Sequence, residues 1–445
     1  MTELLELMRQ NVADPPHDHS DVTSLVSAGR RRVRARRTRL VAVAGSGVLA
    51  AAVAGVVLMP RVTDGGGTAS APPTPAAPTV HLSDAAIGTE GQDFQVLATH
   101  TNQWLDADNG QYFDGVTDDG MILFRDGPRA DRLYPRFALM NPATGAKDWL
   151  PDLHIGQQQT VPIELGAHRL VLVGLGGDSS SGPMVAHLFD RDTRQWSQIS
   201  WPGLPSVDLG TSGVLGPDGR LYVSVPATQG QPPVGGWPTG NGGEADDSGA
   251  QGDTYELWSV SLTDSSDVRD EHLSVGSVAF TPSAMVWTDK TNGAAGMVHV
   301  RDLATGDERS FDPQLGDRCN LLELSASADR IVMSEYCGDY PGGVRDDRVQ
   351  IMSTAGNQVV TVQDSGIEGT TLGIGGRNDV VSISAFEGNA EGTYAYDLRT
   401  DRFIRVSTGM SSYSMGGPTP GNDLMWTTPV NHKKGATQWL GRMLG

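Results

Sequence analysis

An all-β fold is expected for most of this chain, and three observations predict it. From Asp93 onward, 353 residues contain no convincing amphipathic helix and read as short alternating strands broken by Gly, Asn, Asp and Pro. Within them a strand, a tight corner and a second strand recur six times: FALMNPATGAKDWL, HLFDRDTRQWSQIS, LWSVSLTDSSDVRD, VHVRDLATGDERSF, VQIMSTAGNQVVTV and YAYDLRTDRFIRVS. The equivalent corner positions, Thr144, Thr193, Asp264, Thr305, Ala355 and Thr400, lie 49, 71, 41, 50 and 45 residues apart, and the outlier falls to 44 without the 27-residue low-complexity insert at 226–252. A period near 45 with four strands per unit predicts a seven-bladed β-propeller of four-stranded antiparallel blades. One transmembrane helix and a short, partly helical cytoplasmic head are expected to precede it.

The head and its junction come first, residues 1–39. TELLELMRQNV places Leu4, Leu5, Met8 and Val12 on one helical face. His17 and His19 stand without further ligands, so no metal is expected there. GRRRVRARRTRL, residues 29–40, carries seven arginines in a chain of formal net charge −20, and the head nets +3 against −23 for the remainder. The cluster has no aromatic residue for base stacking, so nucleic-acid binding is not expected.

Residues 40–59, LVAVAGSGVLAAAVAGVVLM, are twenty residues without a charge. At a rise of roughly 1.5 Å per residue a helix of that length spans about 30 Å, one hydrocarbon core. Arginines before the helix, and only Arg61 just after it, place the N-terminus in the cytoplasm and the bulk outside. A cleaved signal peptide fits less well, because the one Ala-x-Ala match between the apolar run and the propeller, Ala69 to Ala71, lies well downstream of the run and is followed by prolines. Residues 60–92, with DGGGTASAPPTPAAPT at 64–79, read as a semi-extended spacer.

The propeller is assigned to 93–445. Each unit has an earlier hairpin, as in VLGPDGRLYVSV or LLELSASADRIVMSEY. The last unit, YSMGGPTPGNDLMWTTPVNHKKGATQWLGRML, supplies three strands, and DFQVLATH at the start of the domain is expected to supply the fourth, closing the ring. GPDGRLYVS resembles the Pro-Asp-Gly hairpin of TolB-like and WD-repeat-like propellers. The whole layout is similar to single-pass actinobacterial membrane proteins with a short cytoplasmic head and an outer propeller. In such proteins the head can hold a sigma factor, so the resemblance implies that partner as an alternative.

Cys319 and Cys337 flank a hairpin centred near Ala328, which sets them opposite each other across antiparallel strands, and a disulfide is expected. No Gly-x-Ser-x-Gly, phosphate loop or His-Glu-x-x-His is present. DADNGQYFDG, Asp106 to Gly115, has its glycine one place early for an EF-hand and no bidentate glutamate, so calcium is not expected. The connections between second and third strands, 125–133, 174–183, 226–253, 289–296, 338–348 and 387–392, vary in length and open on one face, where binding usually resides on rigid scaffolds. Trp237, Tyr340, Arg345 and Asp346 on those loops are the expected contact residues. The functional expectation is a membrane-anchored extracytoplasmic binding or sensing module, without enzymatic activity or cofactor, for an unknown protein or glycan. The alternatives are an exported propeller enzyme, such as a glycan-cleaving hydrolase or lyase, and a transmembrane regulator whose head binds a sigma factor.

Overall fold

A computed structural model describes residues 78–445 except 104–110, 128–134, 154, 156–159, 177–180, 209–212, 231–251, 315–318, 338, 341–343, 346, 372, 374–375, 387 and 411–416. The head, the arginine cluster, the apolar run at 40–59 and most of the linker lie outside the described residues. Among the described residues no helix is long and apolar enough to cross a membrane.

The described chain is a seven-bladed β-propeller. Blade 1 is Gln111–Val116, Ile122–Asp126, Arg136–Met140 and Lys147–Trp149; blade 2 is Val161–Leu165, Arg169–Leu175, Met184–Asp190 and Gln195–Ser200. Blade 3 is Gly213–Leu215, Arg220–Thr228, Thr254–Ser261 and Val268–Val275; blade 4 is Val278–Phe280, Ala284–Thr288, Val298–Asp302 and Glu308–Phe311. Blade 5 is Cys319–Ser327, Arg330–Cys337, Asp347–Ser353 and Gln358–Asp364; blade 6 is Ile367–Thr371, Val380–Ala385, Gly392–Asp397 and Arg402–Thr408. The six repeats read from the sequence are the hairpins of the third and fourth strands of blades 1 to 6.

Their recurring chemistry is visible at the corners. Asn141, Asp190 and Asp302 each stand three residues before the corner threonine and accept its backbone N–H, from Thr144 at 3.1 Å, Thr193 at 2.7 Å and Thr305 at 2.9 Å. Such Asx turns let a strand reverse without an unpaired donor.

Blade 7 closes the ring with both ends of the chain. Phe94–Asn102 pairs antiparallel with Gly435–Met443, from Phe94 opposite Met443 to Asn102 opposite Ala436, and Gly435–Met443 pairs in turn with Asp423–Val430. Among the described residues blade 7 is thus a three-stranded sheet; 417–420 forms no strand but runs beside the first strand of blade 1, where Pro418 O accepts the Val116 N–H at 2.8 Å. Before the closing strand the chain runs along the rim: Thr79–Val80 adds in parallel to the outer strand of blade 5 and Ala86–Ile87 to that of blade 6. The last part of the stretch read as spacer is therefore built into the propeller edge.

Period-two alternation distributes the core. Leu123 packs with blade 2 while its neighbour Phe124 packs with blade 7; Val332 faces blade 6 while Ile331 and Met333 face blade 4. Each sheet thus buries both faces, and seven apolar clusters correspond to the seven blade interfaces.

Candidate functional site

Because successive strands alternate in direction, loops between second and third strands share one face with the blade-to-blade connections. First hairpins and outer corners occupy the other face. The two mouths of the central channel therefore differ in character.

On the loop face, Asp339–Tyr340 and Val344–Arg345 pair as a short antiparallel ribbon, with Asp339 opposite Arg345 and Tyr340 opposite Val344. Tyr340 and Arg345 are thereby brought onto one projection, whereas Trp237 and Asp346 lie outside the described residues. The ribbon rises next to the expected disulfide: Cys319 and Cys337 are opposite each other in register, bonded, with Cα atoms 4.0 Å apart. Glu335 lies near both sulfurs, the one metal-like grouping among the described residues, but the sulfurs are committed to each other. Of the stretch examined for calcium, Gln111–Val116 is the first strand of blade 1 and 106–110 lies outside the described residues.

The stem of the long insert is fixed. Buried Asp253 accepts the Gly230 N–H at 2.7 Å on one oxygen and Asn292 Nδ2 at 2.6 Å on the other, and its backbone bridges Thr291 of blade 4. Three of the five exposed large hydrophobics among the described residues, Val161, Met297 and Phe386, end on this face; Val161 is 59% exposed and Phe386 39%.

The opposite mouth holds a feature that the sequence reading missed. First hairpins of blades 1, 2, 3, 4 and 6, with 418–420 of blade 7, surround a cavity of about 430 Å³. Its charged lining consists of Asp118, Glu164, Arg169 and Arg377. Arg169 grips Glu164 with two hydrogen bonds, Nε to Oε1 at 3.0 Å and Nη2 to Oε2 at 2.6 Å, while Arg377 stands 4.0 Å from Asp118. The signal in the sequence was the glycine-rich LGIGGRND before the second strand of blade 6, which a reading focused on loop length passed over.

A second charged pair is buried in blade 1. Arg125 donates to Asp114 Oδ2 at 2.9 Å from Nε and at 2.5 Å from Nη2, and also to Thr160 O at 2.7 Å. Burial pushes the Asp114 carboxyl up, and the Arg125 charge opposes that shift. With its partners satisfied, this pair ties blade 1 to the connection entering blade 2.

No family model matches the chain, and no curated protein matches it. Solved structures do. A prolyl endopeptidase is 14% identical, with 78% of this chain and 46% of that one covered, at a TM-score of 0.42. The β-propeller domain of the Trilobed protease from Pyrococcus furiosus is 8% identical over 67% of this chain and 81% of that one, at 0.41. An acylaminoacyl peptidase from Pyrococcus horikoshii is 11% identical over 75% of this chain and 52% of that one, at 0.45. The chain thus spans about half the length of the two peptidases. These likenesses show the fold alone. The expectation of no enzymatic activity is withdrawn, since propellers of peptidases are among the similar structures, but these likenesses assign no activity to this chain.

Proposed function

We propose that the propeller is an extracytoplasmic recognition domain, anchored to the membrane through residues 40–59, that takes a protein or glycan partner on its loop face. The observation supporting it is that Val161, Met297 and Phe386, on blades 2, 4 and 6, all end on that face, where the Asp339–Tyr340 and Val344–Arg345 ribbon of blade 5 also stands. Loops of varied length carried by a rigid scaffold are where binding commonly resides, and apolar side chains exposed among them offer contact area. The rigid ring lends the loops a fixed frame, which lowers the ordering cost of binding. The arginine excess before residue 40 supports the orientation, with the head inside and the propeller outside. Recognition at this face serves a binding protein and an exported propeller enzyme alike.

Photo-crosslinkers placed at Val161 and Phe386 in whole cell envelopes should capture a partner, while the same groups at Ile87 on the rim and Leu303 on the opposite face should not. Equal yields at all four positions would refute the reading. Reporters fused after Thr79 should be active only outside the cytoplasm, and cytoplasmic activity there would overturn the orientation.

A further inference from the structure

The cavity on the face opposite the loops contains two charged side chains whose backbones are held rigidly and whose charged ends are left to solvent. Gly376 and Arg377 belong to the first hairpin of blade 6, which reaches past its own blade. Gly376 O accepts the Ala328 N–H at 3.0 Å and Ser327 Oγ at 2.9 Å from blade 5. Gly376 has φ +72°, and a Cβ there would come within 2.5 Å of Phe280 O in blade 4, so the close approach requires glycine. On the other side of Arg377, Asn378 Nδ2 donates to Thr419 O at 2.9 Å, Thr419 Oγ1 at 2.8 Å and Asp423 O at 2.9 Å in blade 7, while Arg377 O accepts the Gly421 N–H at 2.8 Å.

Asp118 is fixed in the same manner. Its N–H donates to Leu165 O at 2.9 Å, and its neighbour Asp119 is clamped by both Nη atoms of Arg191 at 2.8 and 2.9 Å. Yet the Arg377 and Asp118 side chains are 68% and 52% exposed, and their mutual approach is 4.0 Å, too long for a hydrogen bond. A surface pair at that distance contributes little to the fold. Interblade hydrogen bonds thus fix the backbones that carry two largely exposed charges facing one cavity.

The charge pattern selects the ligand. The lining carries two carboxylates and two guanidiniums, with Glu164 and Arg169 neutralising each other. A simple anion on Arg377 would be repelled by Asp118 at close range, and a simple cation on Asp118 by Arg377. A molecule carrying both charges satisfies both groups at once. Around them the walls are apolar: Val116, Leu165, Leu215, Pro282 and Pro418 line the same cavity, whose volume of about 430 Å³ lies within the range of small-molecule sites.

We propose that this cavity binds a small zwitterion, a free amino acid with an apolar side group, its carboxylate on Arg377, its ammonium on Asp118 and its side group against the prolines and leucines. The site is on the face away from the partner surface proposed above and is independent of it.

Calorimetric titration of the purified full-length chain with L-leucine, L-valine and L-phenylalanine is the test. Binding of at least one is expected. The amide of that amino acid, which lacks the carboxylate, and its N-acetyl derivative, which lacks the ammonium, should each bind at least tenfold more weakly, and acetate should not compete. Arg377→Gln should weaken the free amino acid tenfold or more and close the gap to the amide; Asp118→Asn should close the gap to the N-acetyl form. Both side chains are exposed, so each variant should melt as the parent does while crosslinking at Val161 persists. No binding by any of the three amino acids, equal binding of acid and amide, effective competition by acetate, or an unchanged affinity in Arg377→Gln would each overturn the proposal.

Discussion

Phe94→Ala tests whether the N-terminal strand locks the ring. Phe94 is 6% exposed and sits in the apolar cluster between blades 6 and 7 with Val380, Ile404, Leu424 and Met443. Its ring meets Trp426 edge-on, with centroids 5.8 Å apart and planes at 85°. Truncating a buried phenylalanine costs about 3–5 kcal/mol, because the surrounding side chains collapse only partly into the void. Melting entropies near 2.1 cal/mol/K per residue amount to roughly 0.8 kcal/mol/K for a domain of this size, so the melting temperature should fall by about 4–6 °C. Ile87→Ala, on the rim strand and 71% exposed, is the matched control and should shift the melt by less than about 1 °C. Scanning calorimetry reads both. Deleting 433–445 removes Gly435–Met443, the strand that pairs with both of its neighbours in blade 7, and cooperative unfolding should be lost with it. A Phe94→Ala melt indistinguishable from that of Ile87→Ala, or an intact transition in the deletion, would show that the ring is not held shut by these strands.

Non-reducing peptide mapping should link Cys319 to Cys337; with a sequence separation of 18, loss of the cross-link in the double serine variant should cost about 3 kcal/mol by chain entropy and lower the melt by about 4 °C. His187 is buried and His100 half-buried with its ring against Phe113 and Phe124, and desolvation lowers both pKa values below 6.5, helped at His100 by the Lys147 charge. The unfolded chain therefore takes up protons first, so their contribution is intact above pH 6.5 and is lost as pH falls through the lowered native values; His187→Gln should flatten the melting curve against pH in that window, and an unchanged slope would refute the assignment. Asp253→Ala strands the donors of Gly230 and Asn292 at about 1–3 kcal/mol each, visible as a melt several degrees lower. Replacing 231–251 by a short linker should leave the melt nearly unchanged, since closure entropy varies slowly with loop length, and should abolish crosslinking at Val161 if the insert contributes to the partner surface.

Much of the fold was legible because propeller blades are local. Each corner is built from residues a few positions apart, such as Asp190 and Thr193, so its chemistry repeats in the one-dimensional text. Cys319 and Cys337 were placed opposite each other from a hairpin centred near Ala328; the turn itself pairs Ser327 with Arg330, and a bulge at Leu322 shifts the register by one residue to bring the cysteines into line. The cavity was not legible for the opposite reason. Asp118 and Arg377 are 259 positions apart in the chain and meet only because the ring returns blade 6 to the vicinity of blade 1.

The sequence by itself determined the number of blades, the alternation that gives each sheet two buried faces, the strand that closes the ring and the pairing of the cysteines. These depend on period and spacing, quantities a linear chain carries in full. Only the tertiary structure decided that the stretch before Asp93 runs along the rim of blades 5 and 6, and that the first hairpin of blade 6 crosses to blades 4, 5 and 7. It also decided which charges are engaged in holding the fold and which are left exposed. Those outcomes depend on which surfaces ring closure brings within hydrogen-bonding distance, and no local pattern of residues encodes that distance.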